Sequence, residues 1–216
     1  MTTYIKRLCN LFLGLTLYAL GIVFAIQAQI GYAPWEVFHV GMSNTLGISI
    51  GTASILAGVV IGAIGIFLGE KVGIGTILNM FLIGMILDWI MILDFIPAAN
   101  HFAIGVFMLI LGLFTIALGS YFYIGSAFGA GPRDGLMVAL TRLTKLPIGV
   151  CRGGVEIIAV IIGWKLGGMV GLGTIIAAFG IGFCVQLTFQ LLHFDTTTIE
   201  HETLGQTMLL LRSRQA

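Results

Sequence analysis

The chain has 216 residues, of which 58% are hydrophobic and 9% charged, with a formal net charge of +1; its mean hydropathy is +1.10. That leaves too little polar surface to cover a soluble domain, and no basic cluster outside the membrane-flanking loops offers a phosphate track, so nucleic-acid binding is set aside. Cys9, Cys151 and Cys184 lack CxxC spacing and sit mostly inside apolar runs, so they read as small buried hydrophobes and not as a disulfide or metal ligands.

Lys6 and Arg7 precede a first apolar run that resembles a signal-peptide start, but the run is as long as a span and its pattern returns later in the chain, so it reads as a retained helix. About 20 apolar residues are needed to cross the hydrocarbon core. Six stretches qualify, roughly 8–30, 50–68, 74–93, 102–124, 149–167 and 171–192. After the first and fourth of them come shorter segments, 34–46 and 132–144, each under ~20 Å as a helix and therefore a half-helix at most. Beyond His193 hydropathy collapses, which predicts a cytoplasmic tail over 195–216 with a short amphipathic helix over 199–214.

Positions 13–90 align without a gap on 111–188, and the shared residues are mostly those that dictate backbone path: Gly14/Gly112, Gly21/Gly119, Gly31/Gly129, Pro34/Pro132, Gly51/Gly149, Gly65/Gly163, Gly73/Gly171 and Gly75/Gly173. Three spans per copy, an odd number, require the second copy to sit upside down relative to the first, as in many transporters. Loop charges agree: with the N-terminus inside, Lys6, Arg7, Lys71, Arg133, Arg142, Lys145, Arg152, Arg212 and Arg214 all fall on the cytoplasmic side and Lys165 falls outside. The reading is an all-α integral membrane protein of six transmembrane helices, arranged as two inverted-topology repeats over 8–94 and 102–194, each with a half-helix after its first span. Gly58, Gly62, Gly65 and Gly69 read as a helix-packing seam. The GIGT and GLGT segments at 73–76 and 171–174 read as tight turns opening a span, not as nucleotide loops.

Chemistry concentrates at the half-helix starts. Pro34 and Pro132 suit the first helical position, which puts Glu36 and Asp134 at N3, where an acid caps its own helix and complements the dipole. The same helix starts, brought near the midplane from opposite faces, would form a site for a polar solute. Helices lying flat in the headgroup region remain the alternative geometry. Trp35 is the repeat mate of Arg133, Ser54 of Arg152 and Gly58 of Glu156, so the second copy carries extra charge. Arg152 and Glu156 are spaced for an ion pair on one helix face. Asp88 lies deep in the third span and its mate is Gln186, which predicts a lined cavity or an interhelical hydrogen bond. Gln27, Gln29 and Asn79 are weaker candidates, and His39 reads as interfacial. His193, Asp195, Glu200, His201 and Glu202 lack a spacing that fixes metal geometry.

At APWEVFHVGMS (33–43), GAGPRDGLM (129–137) and VGLGT (170–174) the chain resembles the bacterial YczE/YyaS/YitT family of inner-membrane proteins, and the likeness covers the six-span body, roughly 8–194. The resemblance implies a bacterial inner-membrane location and a multi-pass topology more than an activity, and no binding residue is carried over from it. It fits the YczE-like branch best, because a soluble C-terminal domain of the YitT-like kind is not expected here.

The functional expectation is a small-solute transporter. Its substrate site would be formed by Glu36, Arg133 and Asp134 with Pro34, Pro132 and Trp35, and its coupling or polar network by Arg152, Glu156, Asp88 and Gln186. No cofactor or metal is expected. Partners are the lipid bilayer and a small solute, with a second copy of the chain or a membrane partner protein left open. A passive channel and a non-transporting accessory protein are the competing readings, and an intramembrane enzyme is disfavoured because no nucleophile–base pair stands out.

Overall fold

The computed structural model describes residues 2–195, 199 and 202–205. The described residues form eight helices and no strand: α1 (Thr2–Gln27), α2 (Pro34–Leu46), α3 (Ile50–Phe67), α4 (Ile74–Leu93), α5 (Phe102–Gly125), α6 (Pro132–Thr144), α7 (Ile148–Lys165) and α8 (Leu172–Leu191). The short helices begin at the two prolines, as the missing N–H at a first helical position favours. Each ends on a left-handed residue, Gly47 after α2 and Lys145 after α6. Most of the expected tail, including the amphipathic helix over 199–214, lies outside the described residues.

Five helices, α1, α3, α4, α5 and α8, are each long and apolar enough to cross a membrane. The sixth expected span differs: α7 carries three charged residues, Arg152, Glu156 and Lys165, and qualifies only together with α6, from which it is bent by 118°.

At the centre, α1 packs along α5, and the reason is steric. A Cβ on Gly21 would fall 2.6 Å from the carbonyl oxygen of Gly112, and one on Gly112 would fall 2.7 Å from that of Gly21. Gly14 and Gly119 repeat this reciprocal contact one crossing further along. Lipid supplies no hydrophobic drive for helix association, so backbones that touch over small residues hold such a pair through dispersion. Leu11, Leu15, Ile22, Leu87, Leu109 and Leu113 close the core around it.

The remaining contacts pair off. Helix α2 packs against α7 and α6 against α3; α1 packs on α4 and α5 on α8. In the loops, Gly173 N–H donates to Ile30 O at 2.8 Å while its repeat mate Gly75 N–H donates to Phe128 O, also at 2.8 Å. Thr174 and Thr76 each accept from the glycine three residues before them, at 3.1 and 3.2 Å. The GIGT and GLGT segments are thus turns that open α4 and α8 and hold the loop before the opposite half-helix.

The glycine seam expected at Gly58, Gly62, Gly65 and Gly69 is only partly a seam. Met80 covers Gly58 and Gly62, Gly65 has no close neighbour beyond Glu70, and Gly69 serves a turn at φ +87°. The close backbone contact between α3 and α4 lies instead at Gly51 and Gly84. Cys151 and Cys184 are buried, whereas Cys9 is exposed because it lies on the outer face of α1.

Candidate functional site

A cavity of about 550 Å³ lies between the two short helices. The first turn of α2 contributes Pro34, Trp35 and Glu36, and the first turn of α6 contributes Pro132, Arg133 and Asp134. Arg152 and Glu156 enter from α7, Tyr18 from α1, Ser54 from α3, Asn79 from α4, and Ser120 and Tyr123 from α5. Both helix starts therefore face one space. A helix start offers unpaired backbone N–H groups and a partial positive charge, so two starts sharing a cavity make a polar centre inside an apolar bundle.

Glu36 is buried, at 6% exposure, on a helix held against α7 where Gly41 and Gly163 pack closely. That contact packs α2 against α7. Arg133 reaches across from α6. Its guanidinium lies 4.5 Å over the Trp35 ring, and its Nη2 is 3.2 Å from His39 Nε2. Arginine can only donate, so His39 Nε2 accepts and the ring proton sits on Nδ1. That Nδ1 is buried without a hydrogen-bond partner. Helices α2 and α6 are thus tied together through Trp35, His39 and Arg133, and neither a π face nor a neutral imidazole cancels the arginine's charge. Arg152 Nε donates to Glu156 Oε1 at 2.9 Å, the i,i+4 pair its spacing predicts. Around the polar centre the walls are apolar, from Ile22, Ile83, Leu113, Ile116, Met137 and Ile181.

Eight of the ten residues singled out in the sequence meet in this cavity. Asp88 and Gln186 do not. Asp88 Oδ1 accepts from Gly51 N–H at 2.8 Å and Oδ2 from Ser49 Oγ at 2.5 Å, so its role is an interhelical hydrogen bond that caps α3 from α4. Gln186 faces outward and is exposed. His39, expected at the interface, is 1% exposed; the second copy's arginine draws its ring inward. Gln27 donates to Ile96 O at 2.9 Å, outside the cavity.

Tyr18 and Tyr123 line the cavity without a signal in the sequence, and Asn79, a weaker candidate there, joins them. Tyr123 is buried and donates its hydroxyl to Gly129 O at 2.9 Å, bracing the loop that launches α6. A tyrosine within an apolar span carries no signal until the helix's rotation is known. A separate clasp lies away from the cavity: Arg7 donates to Ser126 O at 2.8 Å, stacks 4.6 Å over Phe128 and pairs with Glu202 at 2.5 Å. Glu200 and His201, considered with Glu202 as metal ligands, lie outside the described residues.

The apolar helices and the fold together describe a multi-pass helical membrane protein. The chain belongs to the family of unknown function DUF6198, whose match covers residues 5–190. Among its relatives are the "Uncharacterized membrane protein YczE" of Bacillus subtilis (strain 168), 32% identical over 189 residues, covering 85% of this chain and 87% of that protein. An "Uncharacterized protein" of Haemophilus influenzae is 32% identical over 191 residues, covering 88% and 87% of the two chains. The "Uncharacterized protein YyaS" of Bacillus subtilis is 25% identical over 196 residues, covering 90% and 94%. No solved structure matches.

Proposed function

We propose that the protein is a small-solute carrier of inverted-repeat type, resident in a bacterial inner membrane with both termini cytoplasmic. The observation that carries this reading is that the starts of α2 and α6 line one cavity together with Glu36, Arg133 and Asp134. Discontinuous helices whose N-termini face a central polar site are the arrangement transporters use to hold polar solute groups. The reciprocal pairing of α2 with α7 and of α6 with α3, and the mirrored bonds from Gly173 to Ile30 and from Gly75 to Phe128, support two equivalent halves related by an axis in the membrane plane. The loop charges support the orientation.

In this reading Arg133 and the two helix starts take the anionic part of a solute, and Glu36 and Asp134 its cationic or hydrogen-bond-donating part. Glu156 and Arg152 form the adjoining polar network.

A thermal-stability screen of the purified protein against small solutes tests the proposal. A solute at about 100 times its Kd should stabilise the folded state by roughly 2.7 kcal/mol. Arg133→Gln and Asp134→Asn should abolish that shift while the protein still inserts and purifies, and Glu156→Gln should alter its pH dependence. Unchanged affinity and pH profile in all three variants would reject this cluster as the site.

A further inference from the structure

The two copies differ most at one seam. In the first, α3 and α4 are zipped together. Gly51 and Gly84 touch through their backbones, so that a Cβ on Gly84 would fall 2.5 Å from Gly51 O and 2.6 Å from the Ile55 side chain. Asp88 bonds Gly51 N–H and Ser49 Oγ across the joint, and Met80 fills the space over Gly58 and Gly62.

The glycines of the joint persist in the second copy as Gly149 and Gly182, but the side chains that lock it are replaced. Pro147 stands for Ser49, Gln186 for Asp88, Gly153 for Ile55 and Ala178 for Met80. Proline has no N–H and no hydroxyl to give, and Gln186 points outward. A Cβ on Gly149, Gly153, Gly154 or Gly182 would meet nothing within 4 Å. Helices α7 and α8 accordingly share almost no close approach, although their mates pack along one another.

The cavity runs into this gap. Ile148, Gly149, Arg152 and Glu156 form its α7 wall, and Ile181 and Val185 its α8 wall. The outer faces beside the gap are strongly apolar, with Ile157 62%, Phe179 81% and Phe183 63% exposed, as a surface against lipid tails would be. A passage from the bilayer side therefore leads past isoleucine and valine to Glu36 and Arg133.

We propose that the gap between α7 and α8 is a side entrance through which the cavity takes an amphipathic solute with a zwitterionic head and a single apolar tail. The proposal rests on the solute-binding reading of the cavity. The apolar walls suit a tail lying along Ile148, Ile181 and Val185. The head meets a carboxylate and a guanidinium of opposite sign, Glu36 and Arg133, while Arg152 and Glu156 satisfy each other at 2.9 Å. A cavity of about 550 Å³ falls in the size range of compact ligands and holds a head group with part of one chain.

Trp35 lines the cavity, whereas Trp89 and Trp164 are 72% and 64% exposed on the outside, so Trp89→Phe/Trp164→Phe leaves a single reporter inside. The probe is a single-chain phosphocholine amphiphile brominated on its tail, titrated into nanodiscs bearing the protein. Saturable quenching of Trp35 is expected. Pro147→Ser/Gln186→Asp installs the first copy's latch, and Gly182→Phe fills the open gap at a position outside the cavity wall; either should raise the half-saturating concentration by about tenfold or more. Quenching that does not saturate, that is indifferent to both variants, or that water-soluble glycerophosphocholine competes at equal potency overturns the side entrance. If some other solute still stabilises the protein and still depends on Arg133, the carrier reading stands while this proposal falls; loss of every such solute would remove both.

Discussion

The link between α2 and α6 can be broken at one residue and its strength read out. Arg133→Met keeps an unbranched apolar stem but deletes the cation 4.5 Å above the Trp35 ring and the donor 3.2 Å from His39 Nε2. A cation over an aromatic face contributes about 0.5–2 kcal/mol, and a hydrogen bond from a charged group about 1.5–3 kcal/mol. Because His39 is buried at 1% exposure and its Nδ1 has no partner, the substitution leaves both ring nitrogens unsatisfied. Allowing for overlap between these contributions, the expected loss is about 2–4 kcal/mol. At roughly 2–4 °C per kcal/mol for a chain of this size, the apparent melting temperature in detergent should fall by about 5–15 °C. The double variant Arg133→Met/His39→Leu removes both partners, which leaves no orphaned polar group, so it should be more stable than the sum of the single losses by about 1–3 kcal/mol. Thermal unfolding followed by intrinsic fluorescence measures all three variants. Additivity within about 0.5 kcal/mol would refute the coupling and with it the tie between the short helices.

Gly21→Val should push α1 off α5, because its Cβ would meet Gly112 O at 2.6 Å; a loss of about 1–3 kcal/mol is expected by thermal unfolding, and an unchanged melting temperature would contradict the close crossing. Asp134→Asn should cost only ~0.3–1 kcal/mol as a charge lost at a helix start, yet remove solute-induced stabilisation. Asp88→Ala should cost about 1.5–3 kcal/mol through the lost bonds to Gly51 and Ser49 and raise the labelling rate of a cysteine placed at Ser54, on the cavity side of α3. Arg7→Met should loosen the clasp of Ser126 and Glu202, seen as faster hydrogen exchange at the amides of Glu202 and Leu204, which bond to Ala127 and Val72.

What the sequence made legible was mostly backbone. Two prolines with preceding glycines located the short helices to the residue, because a proline at a helix start has one strong geometric meaning, and the duplication carried that signal twice. Charged residues at helix starts pointed to the cavity for the same reason. Residues whose meaning depends on helix rotation stayed hidden: Tyr18 and Tyr123 lie in apolar spans, and only packing turns them inward. His39 looked interfacial because its partner, Arg133, lies in the other copy and is brought near by folding. Asp88 and Gln186 were read alike as mates, but Ser49 and Pro147 decide whether a latch exists, and those residues are close to them only in space. Arg7 read as a flanking charge because Glu202 lies almost the whole chain away.

The central claim is that α2 and α6 descend into the bundle from opposite faces of the membrane. Asn44, near the end of α2, and Lys145, just beyond α6, are both exposed. Single cysteines at these two positions, in protein lacking Cys9, Cys151 and Cys184, report their sides by labelling with a membrane-impermeant maleimide in intact cells and in inverted vesicles. The account predicts that position 44 labels from outside and position 145 from the cytoplasmic side. Labelling of both from the same side would contradict it.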